Sequence, residues 1–484
     1  MSKPSSFCFD NTFLTLPSCL YTKLKPSPVA SPNIIAFNQE LSESLGLKLD
    51  ASSPCTADIL SGNVCLPEGG YFSQAYAGHQ FGHLTLLGDG RAMTLGEHLT
   101  PHHQRVDIQF KGSGPTPYSR QGDGRAGLGP MLREYLISES MHALGIPTTR
   151  TLAVVTTGEK IRRQEDLPGA ILTRVAASHI RVGSFQFAAL QDDPKVLCDL
   201  LDYTIQRHYP DKDPSLNPAI TLLTAVMEQQ IACMVEWMRV GFIHGVMNTD
   251  NVTISGETID YGPCAFMDSY DPETVLSSID TQGRYAFDQQ PIVMQWNIAV
   301  FAQALLPLID TCQDTAIAMS QAVIDQYPSI YQERWLNMMR KKIGVFDTHD
   351  DDGLLIDDLL QWMHKHQADF TNTFRYLCRP EVSSDPLLSS PSFKQWHQRW
   401  IARQVKDSRP IDDAIVLMDS VNPFVIPRNH YVERVLQAAY NQDMTPFYEL
   451  ESVLKQPYNQ NSAISQWTVP PTDSERVRYT FCGT

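Results

Sequence analysis

Three side chains set the chemistry this sequence could support. His244 and Asn251 lie seven positions apart in GFIHGVMNTDNV, and Asp260-Tyr261-Gly262 follows nine positions after the asparagine. The side-chain oxygens of Asn and Asp are hard ligands, suited to Mg²⁺ or Mn²⁺ bridged to phosphates. Asn251 and Asp260 are therefore the candidate metal ligands. The plain alternative is an Asp-Asn turn followed by a strand-ending Asp-Tyr-Gly turn. Upstream, Lys111 closes the alternating run Val106-Asp107-Ile108-Gln109-Phe110. A lysine there can pair a phosphate with a carboxylate on the next helix. Glu134 is the natural partner and Glu139 the fallback, against the reading of Lys111 as an edge-strand surface residue. Gly88-Asp89-Gly90-Arg91 is a Gly-rich turn whose backbone N–H groups can approach a phosphate closely, or else a hairpin turn. Gln121-Gly122-Asp123-Gly124-Arg125 repeats the Gly-Asp-Gly pattern. Eleven of the 38 basic residues fall between Arg105 and Arg181, nearly double an even share. In an acidic chain this marks a local anion site, with Arg120, Arg125, Arg174 and Arg181 as candidates; an ordinary solvated charged face is the alternative.

The order and spacing resemble the kinase pattern H-x-D-x-x-x-x-N followed by D-F-G. One position departs from it. Two residues after His244, where the kinase pattern has its catalytic Asp, stands Val246, which cannot accept a proton. Asp250, beside Asn251, is the nearest substitute base, provided that the reacting phosphorus lies elsewhere than in a kinase. The other reading is a site without turnover.

The surrounding texture predicts what holds these residues. Residues 1–70 carry many Pro and Ser without a strong period and read as an irregular N-terminal arm. Residues 71–187 alternate short apolar runs with Gly-rich turns, which predicts a strand-rich nucleotide-binding lobe. One helix, MLREYLISESMHALG, interrupts it and stops at Gly145 and Pro147. TLAVVTTGE and AILTRVA are further strands. Residues 188–345 read as a mainly helical lobe, with TLLTAVMEQQIACMVEWMRVG as a long amphipathic helix and FIHGVMNTDNVTISGETIDYG as a strand-loop-strand. Residues 346–484 read as a helical extension broken at SSDPLLSSPS and ending in a polar tail. The fold class expected is α+β, with two lobes.

Bulk properties narrow the partners. The chain has 484 residues, 42% of them hydrophobic, which suffices for a large core. Its net charge of −16 argues against a nucleic-acid backbone or an anionic membrane as partner. Ten scattered cysteines with no CxxC disfavour a zinc ribbon or disulfide scaffold and fit a reducing cytoplasm. The N-terminus lacks an apolar signal segment. The longest apolar run, near Ile298 to Ile309 and interrupted by Gln303, is expected to be too short to span a bilayer and to form a buried helix.

YAGHQFGHLTLLGDGRA, DIQFKGSGPTPYSRQGDGRAGLGPMLREY, GFIHGVMNTDNVTI and IDYGP resemble the selenoprotein O family, protein adenylyltransferases with a kinase-like fold. The resemblance runs nearly end to end. It implies that ATP lies flipped relative to a kinase. AMP rather than phosphate then passes to a Ser, Thr or Tyr hydroxyl of a protein; some bacterial relatives are described as transferring UMP from UTP, with Mn²⁺ favoured. On that reading Gly88, Gly90, Arg91, Lys111, Asp123, Gly124, Arg174 and Arg181 hold the nucleotide, and Glu134 pairs with Lys111. Asn251 and Asp260 hold Mg²⁺ or Mn²⁺, and Asp250 accepts the proton. Some members carry selenocysteine near the C-terminus, where this chain has Cys482; a tail docked near the active site, with a disulfide to Cys264 that gates activity, is one extension, two unrelated cysteines the other.

A protein nucleotidyltransferase is thus expected to be the function, acting as a cytoplasmic monomer on protein substrates, with no nucleic-acid or membrane partner. Its competitors are an ATP-binding pseudokinase scaffold, which binds without a covalent product, and a kinase, against which Val246 counts.

Overall fold

The computed structural model describes residues 7–481, apart from 81, 214, 379–385, 408 and 461–464. The strands in chain order are β1 (Tyr21–Lys23), β2 (Asn33–Phe37), β3 (Phe72–Gln80), β4 (His83–Gly88), β5 (Ala92–Leu99), β6 (Arg105–Lys111), β7 (Ala126–Gly127), β8 (Arg150–Arg162), β9 (Asp166–Ala176), β10 (Phe242–Ile243) and β11 (Ala265–Phe266). The first nine form one antiparallel sheet in the order β1-β3-β5-β6-β9-β8-β2, with β4 on β3 and β7 on β9. The remaining two form a small antiparallel pair. The protein is a mixed α/β structure built on this large antiparallel sheet, with most helices following it in the chain.

Residues 7–70 are not an irregular arm. β1 pairs with β3 through Tyr21↔Gln74, and β2 pairs with β8 through Asn33↔Thr156, so this segment supplies strands at both ends of the sheet order. These strands are three and five residues long and flanked by Pro and Ser, too short to show a period. Two short helices, α1 (Gln39–Ser44) and α2 (Pro54–Ser61), follow them.

Helix α3 (Leu128–Ala143) packs on β8 and β9 and is buried on nearly all sides. Gly145, at φ 78°, takes up the left-handed turn that ends it. The next helices are α4 (Val182–Ala189), α5 (Lys195–His208) and α6 (Pro218–Val240). At the start of α6 the Asn217 side chain accepts from Ile220 N, and Pro218, having no N–H, needs no acceptor; Gly241, at φ 73°, closes it. α7 (Gln290–Ile309), α8 (Gln313–Ile324), α9 (Tyr327–Lys342), α10 (Asp352–His366), α11 (Phe370–Cys378), α12 (Pro391–Gln404), α13 (Ile411–Val421), α14 (Asn429–Tyr440) and α15 (Thr445–Leu454) complete the described helices. α14 and α15 return to pack on α3, where Tyr135 donates to Glu451 Oε1 at 2.9 Å.

Two further expectations need correcting. The stretch after α6 holds one short strand, β10, and its partner β11 lies beyond Asp-Tyr-Gly rather than before it. Positive φ at Gly245, Gly256 and Asp260 breaks the extended run. The apolar stretch ending at Ile309 belongs to a helix long and apolar enough to cross a membrane, and Pro218–Val240 is a second. Of the most apolar stretch in each, 56% and 61% respectively is buried inside the protein, as in helices of a core.

Candidate active site

Lys111 is the last residue of β6, and Glu134 sits one turn and a half into α3. Their charged atoms meet at 2.6 Å, while Lys111 Nζ also reaches Asp260 Oδ1 at 2.8 Å. Glu139 is turned away; it holds Arg150 at 2.6 Å and accepts from Asn38. Arg174 lies opposite Gln109 in the β6–β9 register. It donates to Gln109 Oε1 at 2.6 Å and to Asp260 Oδ1 at 2.7 Å. Arg181, the residue before α4, reaches Asp260 Oδ2 at 3.2 Å and the carbonyl of Asp250 at 2.7 Å. One carboxylate thus gathers three cations from three segments. Burial would raise the Asp260 carboxyl, but Lys111, Arg174 and Arg181 outweigh it and hold the group well below the usual range. Asp260 is itself in the left-handed region, at φ 63°.

Behind Arg181 stand two residues that the sequence reading passed over. Its guanidinium lies 4.7 Å from the centre of the Tyr76 ring, and Asp89 Oδ1 is 3.8 Å away. Asp89 is the middle of the first Gly-Asp-Gly turn, yet it is only 2% exposed and accepts from Gln74 N at 2.9 Å. Burial lifts its carboxyl to about 6 against the pull of Arg181. A Gly-Asp-Gly turn reads as solvent-facing, so nothing local marks this aspartate as buried.

Asp250 sits in a single 3₁₀ turn, Thr249–Asn251, seated between β3 and the start of α4. Two glycines make that seat. A Cβ on Gly78 would overlap Asp250 Oδ1, and one on Gly183 would overlap the carbonyl of Ala77. His79 N donates to Thr249 Oγ1 at 2.8 Å and Asn251 Nδ2 to the carbonyl of Val246 at 3.0 Å. Oδ1 of Asp250 is buried with no hydrogen-bond partner. Burial pushes this carboxyl up to about 6, with Arg181 pulling the other way. Gly78→Ala is expected to displace Asp250 and cut turnover by roughly a hundredfold, the scale of a lost or misplaced general base. A Gly78→Ala protein with wild-type circular dichroism and undiminished turnover would show that the seat is unimportant.

All twelve candidate residues line one cleft of about 1090 Å³. Gly88, Gly90 and Arg91 form one edge, against which the loop bearing Asp123 and Gly124 is tied: Thr116 Oγ1 donates to the Asp89 carbonyl at 2.7 Å and Ser119 to that of Gly90. Gly124, at φ 64°, passes so close to Gly114 that no side chain fits. The Asp123 carboxylate is engaged by both Arg163 nitrogens, at 2.9 and 3.0 Å, so its visible work is to fix the loop. Arg120 and Arg125 also line the cleft, and the Arg125 guanidinium donates to the carbonyls of Ser27 and Pro28.

The far wall comes from the C-terminal segment, the place expected for a docked tail. Val477, Tyr479, Thr480 and Phe481 line the cleft. Thr480 is pinned to the segment after Asp-Tyr-Gly: its N donates to Leu276 O at 2.6 Å and its Oγ1 to Pro263 O at 2.5 Å. Cys264 is fully buried nearby, and burial pushes its thiol up to about 11. Cys482, and with it the disulfide reading, lies outside the described residues.

A family model described as protein adenylyltransferase SelO matches residues 5–455. A protein nucleotidyltransferase YdiU of Nitrosococcus oceani is 54% identical over 479 residues, covering 98% of this chain and 97% of that protein. The namesake from Alcanivorax borkumensis is 52% identical over 485 residues, the whole of both chains, and that from Shouchella clausii 50% over 487. The match spans the sheet, the cleft and the helices that close it, and on that length and identity the chain belongs to the SelO family.

Proposed function

We propose that this chain moves the nucleotidyl group of a nucleoside triphosphate, AMP from ATP or UMP from UTP, to Ser, Thr or Tyr hydroxyls of proteins. The frame is a kinase-like pair of lobes with the nucleotide reversed. The observation that carries the reading is the buried, unpartnered Oδ1 of Asp250 beside Asn251, in a cleft where Val246 stands in place of a kinase base. A carboxylate held near a pKa of 6 is suited to take a proton at neutral pH.

In this reaction the acceptor oxygen attacks the α-phosphorus and its proton passes to Asp250. The bond from the α-phosphorus to the bridging oxygen breaks, and pyrophosphate leaves. Lys111, Arg174 and Arg181 face the charge that develops on the leaving oxygens, already fixed in place by Glu134, Gln109 and Tyr76. The Gly88–Arg91 turn and the Asp123–Gly124 loop border the phosphates. Asn251 and Asp260 fit a hard divalent cation. Asn251 uses its amide N–H, which leaves its oxygen to ligate. Asp260 carries two cations on Oδ1 and one on Oδ2, so a lone pair on Oδ2 stays available. Mg²⁺ or Mn²⁺ held there would neutralise phosphate charge and polarise the reacting phosphoryl group.

The test is incubation with a cell extract, Mg²⁺ or Mn²⁺, and ATP labelled at the α or the γ phosphate, with α-labelled UTP alongside. Transfer of an α label to protein is the expected result. Transfer of the γ label would make the chain a kinase. Bound nucleotide with no label moved would make it a pseudokinase scaffold. The rate should also rise with pH through about 6, because Asp250 must be ionised to accept the proton. A profile flat between pH 5 and 8, with chemistry shown to be rate-limiting, would remove Asp250 from that role.

A further inference from the structure

The segment that follows Asp260 in the chain does more than close the cleft. Ile279 lines both the nucleotide cleft and a groove beside it, and Asp288 with Ile292 lines both that groove and a further pocket of about 440 Å³. The cleft, the groove and the pocket are therefore neighbours in a row along this segment. Ile279 and Ile292, at the two junctions, are 46% and 60% exposed, among the large apolar side chains that the fold leaves uncovered.

The pocket at the end of the row is walled by Tyr270, Phe287, Tyr331, Trp335 and Phe370. Asp288 and Asp357 also line it. Neither carboxylate is ion-paired among the described residues; Asp288 accepts only from its neighbour Gln289. Burial first, and then the charges of Asp288 and Asp357, push the Tyr270 phenol up to about 12, so both carboxylates act electrostatically on the pocket wall. The Tyr327 hydroxyl, in the same wall, is buried without a partner. Aromatic faces combined with uncompensated carboxylates attract a cation twice over, by ring quadrupole and by charge.

We propose that this pocket takes a lysine or arginine side chain of the acceptor protein, so that the hydroxyls modified lie a set reach from a basic residue. The proposal rests on the protein-directed transfer argued above. The acceptor runs as an extended segment along the groove from the cleft, its cation seated among the rings and the two carboxylates.

The probe is an array of degenerate twelve-residue peptides with a central Ser and, at each other position in turn, Arg, its uncharged isostere citrulline, or Leu. Two readouts are taken: retention of labelled protein without nucleotide, and incorporation of α label with ATP. Arg is expected to exceed citrulline and Leu by roughly tenfold in retention, at a narrow set of spacings. The double variant Asp288→Asn/Asp357→Asn should lose that preference while binding ATP as before. Equal retention of Arg and citrulline, a preference for Leu, or an Arg preference unchanged in the double variant would overturn the pocket assignment. An Arg preference that the double variant loses, with no label incorporated on any peptide, would uphold the pocket and count against nucleotidyl transfer.

Discussion

Asp250→Asn should abolish most transfer and at the same time make the protein more stable at neutral pH. Loss of a general base lowers turnover by about 10²- to 10⁴-fold. The amide keeps the size of the carboxylate, so nucleotide binding should persist. The stability gain follows from the raised pKa. Folding lifts this carboxyl from its ordinary value of 3.8 to about 6. The stability linked to that shift is complete below the unfolded value and is lost as pH rises through the folded one. At pH 7 the native protein therefore carries a buried carboxylate at a cost of about 2 to 3 kcal/mol, which an amide does not incur. Urea midpoints of the two proteins should differ at pH 7 and converge near pH 4. A variant that transfers at better than a tenth of the wild-type rate, or a stability difference equal at both pH values, would defeat the assignment.

Asp260→Ala should have the opposite effect on stability. It removes the carboxylate on which Lys111, Arg174 and Arg181 converge. Breaking a buried ion pair costs about 3 to 5 kcal/mol, and here the lower end applies because the Asp260 side chain is 23% exposed and Glu134 remains. Transfer should fall below detection, since Asp260 is also a proposed metal ligand. The same three cations would then be free for phosphate. ATP added with a chelator should raise the melting temperature of the variant more than that of the wild type. The reverse order, or no loss of stability without ATP, would show that these cations do not form one charge cluster with Asp260.

Reading the chain in one dimension recovered what is locally encoded. The place of Lys111 at a strand end, its pairing with Glu134 rather than Glu139, and the long helix that Gly241 closes were all legible in local pattern, although that helix starts three residues earlier than its apolar period, at Pro218. What escaped depends on contacts between distant segments. Asp89 becomes buried only because Gln74, Gln109 and Arg181 converge on it from other elements. Tyr76 looks like any strand aromatic until Arg181 is laid over it. Gly78 and Gly183 looked like ordinary glycines, although the Asp250 carboxylate occupies the space of a side chain at the first and the Ala77 carbonyl at the second. The 477–481 segment carries no period, and only its pairing to Leu276 and Pro263 gives it a place.

The placement of β1 and β2 bears on how the molecule is made. Both leave the ribosome before any strand they pair with. β1 waits for β3, but β2 must wait far longer, since its bond between Asn33 and Thr156 spans 123 positions. At about 5 to 20 residues per second, that interval lasts on the order of ten seconds. During it the run Asn33-Ile34-Ile35-Ala36-Phe37 is an unpaired, apolar strand open to any neighbouring edge. Such long-range closure is slow to nucleate. A nascent chain of this kind has reason to depend on a holding chaperone until β8 is synthesised, even though the finished sheet is well buried.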